Sequence, residues 1–168
     1  KPQKMLRKRR WASVPAEKQM NTGDKVRDYC DIIEKAVRWA VSQTGSRDYP
    51  GKCLAFVEDA VEKGNAMEIF GGSTAMESAL LYGWVTEGLP PQGAFVFYKA
   101  SGTLNGVEKN WGHVGLSLGE GKVIHSWGEV RVDDYREIEK LHMAGWTDPE
   151  YLGWTPPGRY LANAVRKK

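Results

Sequence analysis

Residues 112–126 read Gly112-His113-Val114-Gly115-Leu116-Ser117-Leu118-Gly119-Glu120-Gly121-Lys122-Val123-Ile124-His125-Ser126. Apolar residues alternate with small or polar ones on either side of a glycine-rich centre, which predicts two antiparallel strands joined by a tight turn. Parity decides which side chains meet. With Gly119-Glu120-Gly121 as a three-residue turn, Leu116 faces Ile124, Leu118 faces Lys122 and Gly115 faces His125. His113 and His125 then share one face as diagonal neighbours, about 7–8 Å apart at Cα. Val114, Leu116 and Ile124 take the opposite, core-seeking face. A two-residue turn would send the histidines to opposite faces, and the two glycines favour the longer loop.

Upstream of this hairpin the apolar period is helical. Val26, Cys30, Ile33, Val37, Ala40 and Val41 recur at three- and four-residue spacing, which predicts a helix from about Asp24 to near Gly45 with Cys30 on its buried face. Cys53, Leu54, Phe56, Val57, Ala60 and Val61 mark a second helix that ends at Gly64, with Cys53 in its first turn. Thr74-Ala75-Met76-Glu77 has capping-box spacing and opens a third, running to Gly83. Beyond residue 84 strands take over. Ala94–Tyr98, His113–Leu118, Val123–Trp127, Val130–Val132 and Tyr160–Ala162 are the candidates, with a short helix over Asp134–Leu141 and an ordered loop over Gly145–Gly158. Helices first and strands after them indicate an α+β domain, helices packed on an antiparallel sheet.

At 168 residues, 41% hydrophobic and 27% charged, the chain has the make-up of one globular domain, large enough to bury a core without disulfides. Two cysteines exclude a disulfide-stapled miniprotein. No apolar run approaches the ~20 residues of a membrane span, and no signal peptide is visible. Charge is unevenly placed. Residues 1–10 hold six basic side chains and no acid against a whole-chain net charge of +3, so the remainder is net acidic. Residues 1–23 read as a basic leader or linker and residues 24–168 as the folded domain.

Of the three histidines, at 113, 125 and 142, the first two can act together. If the Cys53 helix packs on their face, its first-turn thiol meets His113. The helix N-terminus stabilises the thiolate, His113 serves as base and then acid, and His125 orients the imidazole. That constellation performs acyl transfer. A zinc site built from Cys53, His113 and His125 is the competing use, and no CxxC or HxxxH spacing supports it. A purely structural thiol is the plain alternative for Cys53 and the expected state of Cys30.

The wording of residues 112–126 resembles the histidine hairpin of the NlpC-type cell-wall cysteine peptidases, a compact papain-like family. Pro91-Gln92-Gly93-Ala94-Phe95-Val96-Phe97-Tyr98 is similar to the strand preceding that hairpin, and Tyr49-Pro50-Gly51-Lys52-Cys53 resembles the nucleophile segment. Where the family usually reads Asp-Cys-Ser-Gly, this chain reads Lys52-Cys53-Leu54-Ala55, closer to the related CHAP domains. The resemblance implies a papain-like fold and a Cys53, His113, His125 mechanism that needs no cofactor or metal. It implies peptidoglycan stem peptides as substrate, cut at the γ-D-glutamyl to diamino-acid bond or at the amide joining peptide to sugar. It also implies a cleft wall or oxyanion role for Tyr49, with ordinary packing as the alternative; Trp111 and Trp127, which flank the histidines, either line a groove for a peptide or glycan or belong to the core. The expected protein is a secreted or envelope-associated monomer, part of a larger or phage-derived hydrolase, with no nucleic-acid partner. Two other uses stand beside it: a catalytically silent module binding the envelope or nucleic acid, and a secreted effector with the same cysteine chemistry on another substrate.

Overall fold

The computed structural model describes residues 22–167, with side chains from Tyr29 onward. The basic segment 1–10, and the leader expected over 1–23 up to residue 21, lie outside the described residues. Helix α1 (Thr22–Ser42) is followed by α2 (Cys53–Asn65), strand β1 (Met67–Glu68) and α3 (Ala75–Tyr82). Then come β2 (Phe95–Lys99), β3 (Ser101–Leu104), β4 (Val107–Asn110), β5 (His113–Gly119), β6 (Lys122–Trp127) and β7 (Glu129–Asp134). A 3₁₀ turn (Glu137–Lys140), β8 (Glu150–Thr155), α4 (Pro157–Leu161) and β9 (Val165–Arg166) complete the chain. The central antiparallel sheet has the order β7-β6-β5-β2-β8, and two small ribbons pair β1 with β9 and β3 with β4. The architecture is α+β: helices from the first half cover one face of an antiparallel sheet from the second, and the helix bearing Cys53 starts beside the strand bearing His113. No helix among the described residues is long and apolar enough to cross a membrane.

The core forms where α1 and α2 meet the sheet. Ile32, Ala36 and Ala40 of α1 and Phe56, Val57, Ala60 and Val61 of α2 pack with Phe95, Phe97, Val114, Leu116 and Ile124. Gly64 was expected to stop α2 but lies inside it, because a Cβ there would meet the Lys35 carbonyl oxygen of α1 at 2.9 Å. The helix ends one residue later at Asn65 and is capped by Ala66 in the left-handed conformation. The buried row of α1 is the 32/36/40 set, so Cys30 points outward and is exposed rather than buried. The small Ala36 and Ala40 take the buried row in place of Ile33, Val37 and Val41, and Val41 is left 48% exposed.

The β5–β6 hairpin reaches the expected facing by another route. Leu116 pairs with Ile124 and Ser117 with Val123, but Lys122 pairs with Gly119, not Leu118. The turn has two residues, Glu120 and Gly121, both at positive φ (54° and 79°), as the tightest right-twisting hairpin requires. A bulge between Ser117 and Gly119 inserts the residue that a two-residue loop lacks and restores parity. His113 and His125 therefore stay on one face.

Other elements depart from the sequence reading. Tyr160–Ala162 is not a strand: Pro157 at the first helical turn starts α4, and Tyr160 and Leu161 are buried from it. The expected loop over 145–158 contains edge strand β8, whose apolar alternation is broken by a register shift opposite Phe97/Tyr98. The expected helix over 134–141 shrinks to one 3₁₀ turn. The β3–β4 hairpin went unread although Asn105-Gly106, at φ 51° and 75°, is a strong two-residue turn signal.

Candidate active site

Alternation along β5, β6 and β7 sorts side chains onto two faces. Val114, Leu116 and Ile124 join the helix-side core. His113, His125, Arg131 and Asp133 take the other face, together with Val96, Tyr98 and Val123, which form a second apolar cluster with Ile138. Contrary to the expectation that α2 packs on the histidine face, it covers the opposite one, with Val114, Leu116 and Ile124. Its N-terminus meets His113 instead at the start of β5. There Cys53 and His113 line one cleft of about 260 Å³.

Local packing fixes this junction. The Ser126 hydroxyl of β6 donates to the Tyr49 carbonyl at 3.0 Å, tying the segment before Cys53 to the histidine hairpin. Gly112, at φ 76°, precedes β5 where a Cβ would strike the Met76 nitrogen at 2.6 Å, so α3 packs directly on the cleft's rear edge. On α3 the Thr74 hydroxyl accepts from the Glu77 N–H, and the Glu77 carboxylate accepts from the Ser73 N–H, one residue earlier than the usual reciprocal cap.

A chain of short hydrogen bonds crosses three adjacent strands. His113 Nε2 meets His125 Nδ1 at 2.8 Å, and His125 Nε2 meets Asp133 Oδ2 at 2.7 Å. The Arg131 guanidinium donates to both oxygens of Asp133, at 2.8 and 3.0 Å. His113 and His125 are 4% and 0% exposed. Asp133 is held ionised by its bonds from His125 and Arg131, its carboxyl pushed down to about 2. An acceptor-only carboxylate fixes the tautomers by elimination. His125 carries its proton on Nε2, toward Asp133, and accepts through Nδ1. His113 donates from Nε2 and keeps Nδ1 as a lone pair.

Burial, then the neighbouring His125, holds His113 well below its usual titration range, so the ring is a neutral base. Burial also lowers His125, against the opposing pull of Asp133. Burial pushes the Cys53 thiol up, while the N–H groups of Val114, Leu54 and Cys53 itself pull it down, and burial prevails. The resting pair is thiol and neutral imidazole. The arrangement suits proton removal from sulfur during attack, not a stored thiolate.

The remaining candidates divide. Trp111 and Trp127 line the cleft, the first with its indole N–H donating to Gly102 O at 3.0 Å and the second edge-on to His113 at 5.3 Å between centroids. Tyr49 is not among the lining residues. Its hydroxyl donates to Asp59 at 2.7 Å and its ring packs on Phe56, so it anchors the loop before the thiol and does not aim at an oxyanion. A zinc ion has no room between the histidines, whose facing nitrogens stand closer than two ligands of one tetrahedral zinc at 2.0–2.1 Å would. His142 is exposed and bonded to Asp148. Asp133 and Arg131 were missed. The signal was present: extending the Val130–Val132 alternation by one residue puts 131 and 133 on one face, and the tight Gly128 turn pairs His125 with Arg131.

No family model and no curated protein matches the chain. Among solved structures, RipD from Mycobacterium tuberculosis is similar, with a TM-score of 0.47 and 14% identity over 74% of this chain and 96% of that one. RipD is described as a non-catalytic NlpC/p60 domain protein adapted to peptidoglycan binding.

Proposed function

We propose that this protein is a cysteine hydrolase of amide bonds, acting on peptidoglycan stem peptides. The observation that carries the chemistry is the directed bond chain from Asp133 through His125 to His113, a residue that lines the same cleft as Cys53. The Cys53 sulfur attacks the scissile carbonyl as its proton passes to His113 Nδ1. The imidazolium is held by His125 Nδ1, itself oriented by Asp133. The oxygen of the tetrahedral intermediate is stabilised by the Cys53 N–H at the start of α2. His113 then protonates the leaving amine, an acyl thioester remains on sulfur, and water activated by the same ring releases the acid. The peptidoglycan assignment rests on the resemblance of residues 112–126 to the NlpC-type histidine hairpin.

Digestion of purified sacculi tests both halves. Wild type releases peptide-bearing fragments whose masses report the bond cut, and folded Cys53→Ala releases none. Release by Cys53→Ala at the wild-type rate would end the hydrolase reading. The burial that raises the Cys53 thiol favours a second reading, a cleft that binds wall peptides without cutting them. That reading requires wild-type binding to sacculi with no fragments released.

A further inference from the structure

One wall of the cleft is aromatic and stands apart from the histidine chain. Alternation along β3 puts Gly102 and Leu104 on one side of the ribbon and Ser101 and Thr103 on the other. Trp146 lies against Gly102: a Cβ there would collide with the indole ring, so only glycine lets the ring come down on the strand. The Trp111 indole N–H donates to the Gly102 carbonyl at 3.0 Å, which brings a second indole to the same residue. Two further hydrogen bonds tie the segment carrying Trp146 to β3, from Thr147 N–H to Ser101 O at 2.9 Å and from Ser101 N–H to Thr147 Oγ1 at 2.8 Å. Glycine inside a strand costs conformational entropy. Here it seats a ring that joins neither apolar core cluster, and Leu104, Trp111 and Trp146, all half-buried, line the cleft instead.

The chemistry of this corner selects its occupant. Indole faces carry the negative side of the ring quadrupole, which disfavours an anion. The Lys109 ammonium already stands 4.3 Å from the Trp111 centroid, which disfavours a second cation. The corner is open, since Met143, which lines the cleft with the two indoles, is 41% exposed, so an alkyl side chain seated there would keep much of its surface in water. A neutral ring with an apolar face and polar edges loses little by that opening, because its C–H face covers the indole while its hydroxyls stay hydrated. We propose that Gly102, Leu104, Trp111 and Trp146 form a subsite for a pyranose ring of the substrate's glycan. Trp111 stands two residues before His113, within about 7 Å at Cα, so the sugar lies next to the reacting groups. This assignment rests on the peptidoglycan hydrolase reading and deepens it by naming a carbohydrate contact, and its test does not use the thiol.

The probe is tri-N-acetylchitotriose, a neutral glycan, titrated by NMR against N-acetyl-leucinamide, a neutral aliphatic compound, on wild type and on Cys53→Ala. The expected result is glycan-specific shifts at the Trp111 and Trp146 indole N–H groups and the Gly102 and Leu104 amides, equal in both proteins. Trp146→Ala should weaken glycan binding at least about tenfold, and Trp146→Phe, which keeps a ring over Gly102, by about threefold. Leu104→Ala, a change outside both apolar cores, should weaken it by about threefold and covers the case in which the Trp146 variants fail to fold. Equal binding of the leucine derivative, no saturable shifts, shifts outside this corner, or glycan affinity unchanged in the folded variants overturns the subsite. Failure of wild type to release fragments from sacculi with glycan binding intact would count against the hydrolase reading alone.

Discussion

One strand, β5, carries two kinds of residue on its two faces. Val114 and Leu116 point to the helices and are wholly buried among apolar side chains, while His113 points the other way into a row of polar groups that ends on Asp133 and Arg131. Both faces exclude water, but for different ends. On the first, burial stabilises the fold. On the second, it keeps two imidazoles neutral. Stability and chemistry should therefore separate cleanly when neighbouring residues of β5 are changed.

The widest separation is expected between His113→Ala and Leu116→Ala. The first should lower turnover by at least about 10³-fold, since a nucleophile without its base acts little better than the bare site, far out of proportion to the roughly 1–3 kcal/mol of stability lost with a buried ring and its bond to His125. The second should cost about 2–5 kcal/mol in denaturant unfolding and leave the activity of the folded fraction unchanged. If Leu116→Ala were silent in stability or His113→Ala silent in turnover, the two faces would not divide their work as described.

Asp133→Asn sharpens the polar face. An amide can donate as well as accept, so His125 loses its fixed tautomer and His113 loses the acceptor at Nε2. Turnover should fall by about 10²-fold, less than an Asp-to-Asn change directly behind the base, because one ring intervenes. The KM should hold, since Asp133 is not in the cleft lining.

Acid should separate the faces too. His113 and His125 are lowered below 6.5 in the folded state, so the unfolded chain binds more protons as pH falls below about 6.5, and stability falls with it. Asp133, lowered from 3.8 to about 2, adds a further loss as pH falls through that interval. The thermal midpoint should thus drop between pH 7.5 and 5, and His125→Gln should flatten that slope. A wild-type midpoint independent of pH over this range would contradict the burial of neutral rings.

The smallest effect is expected at Tyr49. Tyr49→Phe removes a hydroxyl bonded to Asp59, keeps the ring on Phe56, and should cost about 1 kcal/mol of stability. Turnover should stay within about threefold, whereas loss of an oxyanion donor costs 10²–10³-fold.

What the sequence made legible was whatever has a short period. The alternation in residues 112–126 put both histidines on one face, and the 3.6-residue spacing placed Cys53 at a helix start. Features that depend on close approach between distant segments were hidden. Gly64 read as a helix stop because the Lys35 carbonyl it accommodates lies 29 positions back. Edge strand β8 was masked by its bulge against Tyr98. Asp133 lay one residue past a strand drawn too short, so the far end of the bond chain was lost although its parity was readable.

The most direct test of the central claim uses the two thiols as each other's control. Mass spectrometry of one alkylated sample follows Cys53, in the cleft, and Cys30, exposed on α1. With His113→Ala, modification of Cys53 at pH 7 should slow at least about tenfold while Cys30 reacts at its wild-type rate. An unchanged Cys53 rate in that variant would mean that the imidazole does not serve the sulfur.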